Sequence, residues 1–389
     1  MNALVLGAGI FGVTGALELR RRGHRVQLLD PGPLPHPLAA STDLSKVVRL
    51  EYGADEEYTR MAERSLEGWR EWNRTFGAPL FHETGVMFLR RTPVASGTFE
   101  GDSLALLRRR GHPIEHLSRD LIRARFPAWN ADRYGDGIFN AAGGYVESGR
   151  VVERLLQLAV AEGVELCEGA TFAALDLRGA RVVGALTSDG RCFPADCVIA
   201  ALGSWTPHAL PFTSGWFRSS GMPVFHLRPD DPAPFVAERF PVFGADISSS
   251  GYYGFPMHPE AGVVKIANHG VGRAVHPSSA DRVVGEGEIA ALRAFLEETF
   301  PALARAQLVS TRVCVYCDTW DGHFWIARDP EREGLVLATG GSGHAYKFAP
   351  VLGGLIADAA EGRGQEKFRW RPEVRPERSE EAARKQSPA

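Results

Sequence analysis

The chain has 389 residues, 44% of them hydrophobic and 23% charged, as in an ordinary globular enzyme that is large enough for two domains. A net charge of −3 provides no basic field for nucleic acid, and no apolar run reaches the roughly 18 residues of a membrane span. Five scattered cysteines do not form a disulfide framework, and the N-terminus lacks the basic region of a signal peptide. These features together predict a cytoplasmic protein.

A dinucleotide-binding unit is predicted at the N-terminus. The pattern of a buried strand, a helix and a second strand covers residues 2–6, 13–22 and 25–29. Gly7 permits a tight turn, Gly9 allows close approach to a pyrophosphate at the helix N-terminus, and Gly12 allows helix and strand to pack closely. Asp30, at the end of the second strand, is placed to accept a hydrogen bond from a ribose. The motif by itself fits either FAD or NAD.

Segments near the C-terminus favour FAD. Strands are predicted at residues 181–186, 196–201 and 335–339. The last of them leads into a glycine-rich run at 340–347 and a helix at 350–360. Both ends of the chain therefore contribute to one nucleotide domain, and a second glycine-rich junction between strand and helix suggests a large cofactor that is contacted at both ends.

The middle of the chain has a different character. Further strands and an amphipathic helix are predicted at residues 83–90, 223–228, 251–256, 263–268 and 286–300. The predicted fold class is mixed α/β: a Rossmann-like FAD-binding domain with a mostly antiparallel β-sheet substrate domain inserted in pieces. The predicted FAD-binding domain comprises residues 1–80, 140–215 and 310–364, and the substrate domain comprises 81–139 and 216–309. Residues 365–389 are predicted to be a flexible polar tail.

Four segments carry a resemblance to a known family. Residues 7–12, 143–146, 195–205 and 342–347 together resemble the D-amino acid oxidase superfamily of FAD enzymes, and more narrowly the monomeric sarcosine oxidase and fructosyl-amine oxidase group. The resemblance covers about residues 1–360. It implies that the following residues bind FAD: Gly7, Gly9, Ile10, Phe11, Gly12, Asp30, Ser41, Thr42, Lys46, Gly203, Trp205, Cys314, Gly341, Gly343, His344 and Lys347.

Cys314 is the predicted site of covalent flavin attachment. Residues 314–324 are similar to the segment in which a cysteine of that group is joined to the flavin, and the resemblance implies a thioether at Cys314. The alternative is a small buried core cysteine. A redox pair of Cys314 with Cys317 is not favoured because the two lie inside a strand, and a zinc site lacks a second pair of ligands.

Lys265 is unusual because it interrupts an apolar, β-branched strand. The resemblance implies a catalytic lysine near the flavin that promotes reaction with O₂, because a fixed cation stabilises the negative charge that develops on oxygen. The alternative is a lysine on an edge strand that reaches water. The resemblance also implies that His269 flanks the substrate.

Arg49 and Lys347 are predicted to hold a substrate carboxylate, and Tyr253 is predicted to line the same pocket. Arginine suits two-point binding of a carboxylate, and lysine adds a point charge. The alternative for Arg49 is a solvated ion pair with Glu51 or Asp55.

Lys46 leaves the substrate open. It stands where the sarcosine branch of that group has arginine and matches the fructosyl-amine branch, whereas Arg49 matches the sarcosine branch. The prediction is an oxidase of secondary amino acids such as sarcosine, an N-methyl amino acid or a fructosyl amino acid, which passes a hydride to the flavin and yields an imine and H₂O₂. The alternatives are a primary or cyclic amino acid oxidase, a quinone-linked dehydrogenase, and a flavin-binding subunit of a larger amine oxidase. A monomer is expected, without metal, nucleic acid or membrane.

Overall fold

One sheet carries the predicted nucleotide unit. The structure is a computed structural model that describes residues 1–270 and 272–375. Its six-stranded nucleotide sheet is parallel except at one edge. The strands, in spatial order, are Trp325–Arg328, Leu335–Thr339, Cys197–Ala200, Asn2–Leu6, Arg25–Asp30 and Glu165–Glu168. Strands from both ends of the chain therefore lie in one sheet, as predicted.

Helices that cover this sheet pack closely against one another. Ile10–Arg21 packs against Ala349–Ala360, and Ser148–Ala161 packs beside it. A Cβ on Gly15 would lie 2.9 Å from the side chain of Ile356, and a Cβ on Gly353 would lie 2.5 Å from the carbonyl oxygen of Thr14. The two glycines let the helix backbones meet. The first helix begins at Ile10, three residues before its predicted start, because the glycine-rich turn ends at Gly9.

A nine-stranded large sheet forms the second layer. Its strands are Arg273–Ala274, Phe217–Arg228, Val264–Asn268, Tyr252–Gly254, Val242–Ala245, Val86–Arg90, Asp136–Asn140 and Glu115–Ser118 in spatial order, with Gln307–Thr319 also paired to Phe217–Arg228. All of its pairs are antiparallel except that of Val86–Arg90 with Val242–Ala245. The prediction of a mostly antiparallel second sheet is confirmed.

One predicted domain boundary cuts a strand. Residue 310 was placed at the start of the last FAD-binding segment, but it lies inside Gln307–Thr319. That strand pairs with Phe217–Arg228 from one end to the other, so it belongs to the large sheet. The alternating pattern of residues 309–315 indicates a strand but carries no information about its partner.

Two small sheets and the remaining helices complete the fold. The small sheets consist of Phe172–Arg178, Arg181–Thr187 and Cys192–Pro194, and of Lys46–Val48, Gly144–Val146 and Phe81–His82. The other α-helices are Glu56–Phe76, Phe99–Arg109, Arg119–Arg125, Thr206–Ala209, Ile247–Ser250 and Glu286–Thr299. Short 3₁₀ helices are Gly203–Trp205, Pro211–Thr213, Ala233–Phe235, Pro301–Leu303, Tyr346–Phe348 and Glu366–Phe368. Within residues 1–270 and 272–375, no helix is long and apolar enough to cross a membrane.

The first part of the predicted tail is packed against the body. Phe368 is 2% exposed. Arg371 donates to both carboxylate oxygens of Asp321 at 2.8 and 3.2 Å, and Lys367 binds Asp55 at 2.7 Å. Residues 365–375 are thus anchored by an aromatic side chain and two ion pairs, so flexibility does not describe them. The rest of the predicted tail, 376–389, lies outside the described residues.

Candidate active site

A cavity of about 730 Å³ lies between the nucleotide sheet and the large sheet. Most residues nominated from the sequence line it. They are Gly7, Gly9, Ile10, Phe11, Asp30, Ser41, Lys46, Arg49, Gly203, Trp205, Tyr253, His269, Gly341, Gly343, His344 and Lys347. Four nominated residues do not line it: Gly12, Thr42, Lys265 and Cys314.

At one end of the cavity is the glycine-rich turn. Gly7 has a φ of 96°, and a Cβ there would lie 2.6 Å from the carbonyl oxygen of Ala201. The helix that follows Gly9 has no acidic side chain in its first turn, and its positive end faces the cavity. The Ile10 amide donates to the Ser41 hydroxyl at 2.9 Å, which fixes the following segment to this end.

Asp30 supports this turn from the neighbouring strand. Its carboxylate accepts from the backbone amides of Ala8 at 2.8 Å and Gly32 at 2.9 Å. The sequence predicts a ribose partner for Asp30; the structure shows two backbone donors, and Asp30 also lines the cavity.

Gly12 and Thr42 lie just outside the cavity. A Cβ on Gly12 would lie 1.7 Å from the Gly7 carbonyl oxygen, so this glycine permits the helix to pack against the turn, as its position in the motif predicts. The hydroxyl of Thr42 is buried and has no partner among the described residues. Neither residue has a contact surface toward a ligand in this structure.

At the other end of the cavity, Lys347 belongs to a hydrogen-bonded chain. Its ammonium donates to the Tyr52 hydroxyl at 3.0 Å and to the His344 carbonyl at 2.7 Å. Burial, and then the nearby charge of Lys347, hold the pKa of His344 well below its usual value. The neutral ring therefore donates from Nε2 to the Gly322 carbonyl at 2.9 Å and accepts at Nδ1 from Tyr52 at 3.1 Å. This chain leaves one proton of Lys347 free to point into the cavity.

Arg49 lies beside Lys347 in an aromatic environment. Its guanidinium is 4.6 Å from the ring centre of Tyr52, and its Nη1 atom is buried without a partner among the described residues. The alternative of a solvated pair with Glu51 or Asp55 is wrong, because Glu51 is buried and accepts from Asn140 at 2.8 Å, while Asp55 binds Lys367. Burial, and then repulsion from the charge of Arg49, hold the pKa of Lys347 well below its usual value.

Lys265 is buried behind the cavity wall. It is 2% exposed, and its strand Val264–Asn268 has a paired neighbour on each side, so the alternative of an edge-strand lysine in water is wrong. Its ammonium binds Asp43 at 2.7 Å and also donates to the Ser45 carbonyl. Burial lowers the pKa of Lys265 to about 8, and the charge of Asp43 opposes that fall.

Lys46 connects this ion pair to Cys314. Its ammonium is 3.4 Å from Asp43 and 3.7 Å from the Cys314 sulfur. Cys314 is 2% exposed and packs with Met222 and Tyr316 on the face of its strand opposite Val313, as the alternation predicts. Lys46 lines the cavity and Cys314 lies directly behind it.

His269 and Tyr253 line the cavity between Arg49 and this buried cluster. Burial, and then the charges of Arg49 and Lys347, lower the pKa of His269 to about 4, so its ring is neutral at pH 7. The Tyr253 hydroxyl is 3.5 Å from that of Tyr316. These groups present neutral surfaces beside two cations.

Two residues of the site were not nominated from the sequence. Asp43 forms ion pairs with Lys265 and Lys46, and the Tyr52 hydroxyl is hydrogen-bonded to both Lys347 and His344. A carboxylate three residues before a lysine in an apolar setting was the available signal for Asp43, and Tyr52 lies three residues after Arg49.

The cavity fits an elongated dinucleotide that carries a flavin. A helix N-terminus without an acidic side chain in its first turn, next to Gly9, suits a pyrophosphate at one end. The other end combines aromatic side chains with Arg49 and Lys347. The fold and the cavity together define a dinucleotide-binding oxidoreductase. The family described as FAD dependent oxidoreductase matches residues 2–359, and the chain belongs to this family.

Proteins similar to this chain are named for several different amine substrates. Monomeric sarcosine oxidase of Bacillus sp. (strain B-0618) is 28% identical, with 92% of each chain covered. N-methyl-L-tryptophan oxidase of Escherichia coli (strain K12 / DH10B) is 27% identical over 93% of this chain and 95% of its own. The solved structure of fructosyl amine:oxygen oxidoreductase (Amadoriase I) from Aspergillus fumigatus is similar with a TM-score of 0.81 and 26% identity, covering 96% of this chain and 90% of its own.

Proposed function

We propose that this chain is an FAD-dependent oxidase of secondary amino acids. The observation that carries the proposal is the pair Arg49 and Lys347, which line the end of the cavity opposite the dinucleotide turn. Arg49 has a buried nitrogen without a partner among the described residues, and the Lys347 ammonium, when protonated, has one proton beyond the two that it donates to Tyr52 and His344, so both side chains can bind an anion. The names of the relatives, each an oxidase of an N-substituted amino acid or a fructosyl amine, support the same substrate class.

Arg49 and Lys347 orient the substrate by its carboxylate. The guanidinium can donate to both carboxylate oxygens, and Lys347 adds a third hydrogen bond, which fixes the α-carbon and amine relative to the cavity. FAD, when bound, supplies the oxidant that takes a hydride from the carbon next to nitrogen and returns the electrons to O₂ as H₂O₂.

His269 and His344 are neutral at pH 7 and do not add positive charge beside the amine. The substrate amine must be unprotonated when it reacts, because its lone pair stabilises the forming imine. His269, with its pKa near 4, leaves the amine free of a cationic neighbour on that side and can accept a hydrogen bond from it.

Lys265 is proposed to favour the reaction with O₂. Its ammonium is held in a low-dielectric position by Asp43, and a fixed cation stabilises negative charge that develops on oxygen. Its strand runs beside Tyr252–Gly254, which carries the cavity residue Tyr253. Lys46, which lines the cavity 3.4 Å from Asp43, adds a second positive charge to the same wall.

We propose covalent attachment of FAD at Cys314. Its support is the matching segment and the position of the thiol behind Lys46, at a sulfur–nitrogen distance of 3.7 Å. The test is acid precipitation of the purified protein: yellow colour should remain in the pellet, and Cys314→Ala should release it. Cys317→Ala is the matched control, since Cys317 is buried three residues away on the same strand and should leave the colour in the pellet. Complete release of flavin from the wild-type pellet contradicts the attachment.

The proposed activity is tested by anaerobic bleaching of the flavin and by peroxide production. A panel should comprise secondary amino acids, fructosyl amino acids, and primary and cyclic amino acids. Bleaching by secondary amino acids with stoichiometric H₂O₂ is expected. Bleaching only by primary or cyclic amino acids, or dye reduction without peroxide, indicates the related oxidase or a dehydrogenase. A purified chain that no amine bleaches contradicts the proposal and indicates a subunit of a larger enzyme. The monomeric state and the cytoplasmic location stay predictions.

A further inference from the structure

The part of the cavity next to Arg49 is apolar. Val86 and Val242 face each other across neighbouring strands of the large sheet, and the residues around them extend the same surface. The apolar lining consists of Val86, Phe88, Phe99, Val242, Ile247 and Phe255. Val86, Phe88 and Val242 belong to strands of the large sheet, whereas the glycine-rich turn follows a strand of the nucleotide sheet. The apolar lining residues together form the apolar pocket.

The apolar pocket begins at the guanidinium itself. The Arg49 carbon Cζ is 5.3 Å from the ring centre of Phe99 and 5.7 Å from that of Phe88. In an amino acid, the carbon bonded to the carboxylate is the α-carbon. When a substrate carboxylate binds Arg49, the α-carbon and its substituent therefore lie nearer to these rings than a group attached to nitrogen.

The pocket has room and free apolar surface. Phe88 lies back against Gly244, where a Cβ would come within 2.6 Å of the ring, so a side chain at position 244 would push the ring into the cavity. Phe99 and Ile247 are only half-buried and keep apolar surface that a ligand can cover. Covering such surface is the main source of affinity for an apolar group.

The pocket offers little to a polyhydroxyl substituent. Three carboxylates line the cavity among the described residues, and each already has partners: Asp30 holds the turn, Asp55 binds Lys367, and Asp321 binds Arg371. Hydroxyl groups placed against the apolar pocket would lose their hydrogen bonds to water without replacement, which is unfavourable.

We infer that the substrate is a secondary amino acid whose α-carbon carries a large apolar or aromatic side chain. The inference rests on the proposed function and narrows it. Glycine derivatives such as sarcosine or fructosyl-glycine carry no side chain on the α-carbon and leave the pocket empty.

The first experiment compares substrates with the holoenzyme. N-methyl-L-phenylalanine, its isomer N-phenethylglycine, sarcosine and fructosyl-glycine are assayed for peroxide and for anaerobic bleaching. N-methyl-L-phenylalanine should exceed the other three in kcat/KM by at least about tenfold, the factor expected for burying a large apolar side chain. Sarcosine or fructosyl-glycine as the best substrate overturns the inference, and N-phenethylglycine as the best places the apolar group on nitrogen and overturns it as well.

A binding experiment keeps the test independent of turnover. Calorimetry with 3-phenylpropionate, acetate and gluconate measures the pocket even if no amine is oxidised. 3-Phenylpropionate should bind at least about tenfold more tightly than acetate or gluconate. Equal affinities overturn the inference. If 3-phenylpropionate binds tightly but no secondary amine bleaches the flavin, the proposed function fails and the apolar pocket stands.

A variant at the pocket completes the test. Ile247→Trp fills the space, and Ser249→Trp, on the exposed side of the same short helix, is the matched control. The ratio of kcat/KM for N-methyl-L-phenylalanine to that for sarcosine should fall at least about tenfold in Ile247→Trp and stay unchanged in Ser249→Trp. Loss of bound FAD from Ile247→Trp assigns the pocket to the cofactor and overturns the inference, as does an unchanged ratio.

Discussion

The ammonium of Lys265 lies 2.7 Å from the carboxylate of Asp43, and both side chains are almost completely buried. Lys46, Arg312 and His226 also approach Asp43, at 3.4, 3.9 and 3.9 Å. Burial raises the pKa of Asp43, but the charges of Lys265, Lys46 and Arg312 outweigh it and hold that pKa well below its usual value. One carboxylate therefore neutralises part of a cluster with excess positive charge.

Asp43→Asn should destabilise the protein in a pH-dependent way. Removal of one partner of a buried ion pair costs about 3–5 kcal/mol. Folding lowers the pKa of Lys265 from 10.5 to about 8, so this lysine alone makes the fold more stable as pH rises between those values, where the folded form is already neutral. The cost of Asp43→Asn should thus be largest near pH 7 and smaller near pH 9.5, as measured by urea unfolding. In a Lys265→Met background the cost should shrink at both pH values; an undiminished cost contradicts the pairing.

Lys265→Met should separate the two halves of the reaction. Loss of the buried cation is expected to slow reoxidation by O₂ about 100-fold or more, because the remaining Lys46 then shares Asp43 with no other lysine and less positive charge stabilises the developing anion. Reduction of the flavin by substrate should be largely kept, since Arg49 and Lys347 are untouched. Stopped-flow measurements of each half check this. Arg60→Met, which removes a cation from the exposed surface of helix Glu56–Phe76, should change neither rate, and slow reduction with normal reoxidation in Lys265→Met refutes the role.

Arg49→Lys should weaken substrate binding although it keeps the charge. An ammonium cannot reproduce the two-point contact of a guanidinium, so KM should rise about tenfold or more. Arg60→Lys, on the exposed surface of helix Glu56–Phe76, provides a control in which KM stays the same. A KM in Arg49→Lys equal to that of the wild type places the carboxylate elsewhere.

Binding of a carboxylate should be accompanied by proton uptake at Lys347. Burial and Arg49 lower the pKa of the free Lys347 ammonium, and a bound anion raises it again, so affinity should fall as pH rises through the range between the two values. Calorimetry with 3-phenylpropionate in buffers of different ionisation enthalpy measures the uptake, with at most about one proton expected. Lys347→Met should abolish it, and uptake that persists in this variant assigns the proton to another group.

Local patterns were sufficient to predict the strands of the nucleotide sheet at residues 2–6 and 335–339, because buried parallel strands are continuous apolar runs between glycines. The same patterns identified Lys265 as anomalous. They could not identify its partner, because Asp43 lies 222 residues earlier in the chain. Nor could they assign Gln307–Thr319 to a sheet, since pairing with Phe217–Arg228 is a property of the folded chain.

The candidate site shows the same division. Arg49 and Lys347 were nominated from motif position, and both line the cavity. The apolar pocket could not be predicted as a unit, because its residues belong to separate strands and helices that only the tertiary structure brings together. Within its own segment, each has the local pattern of a core residue.

The order of strands in the nucleotide sheet affects when the site can form during synthesis. Asn2–Leu6 emerges first from the ribosome but lies beside Cys197–Ala200, which in turn lies beside Leu335–Thr339. The dinucleotide turn at Gly7 and Gly9 therefore waits for nearly the whole chain before Lys347 closes the far end of the cavity. Assembly of the complete site is accordingly a late event for the nascent chain, and a chain that stops before residue 347 lacks one of the two cations of the site.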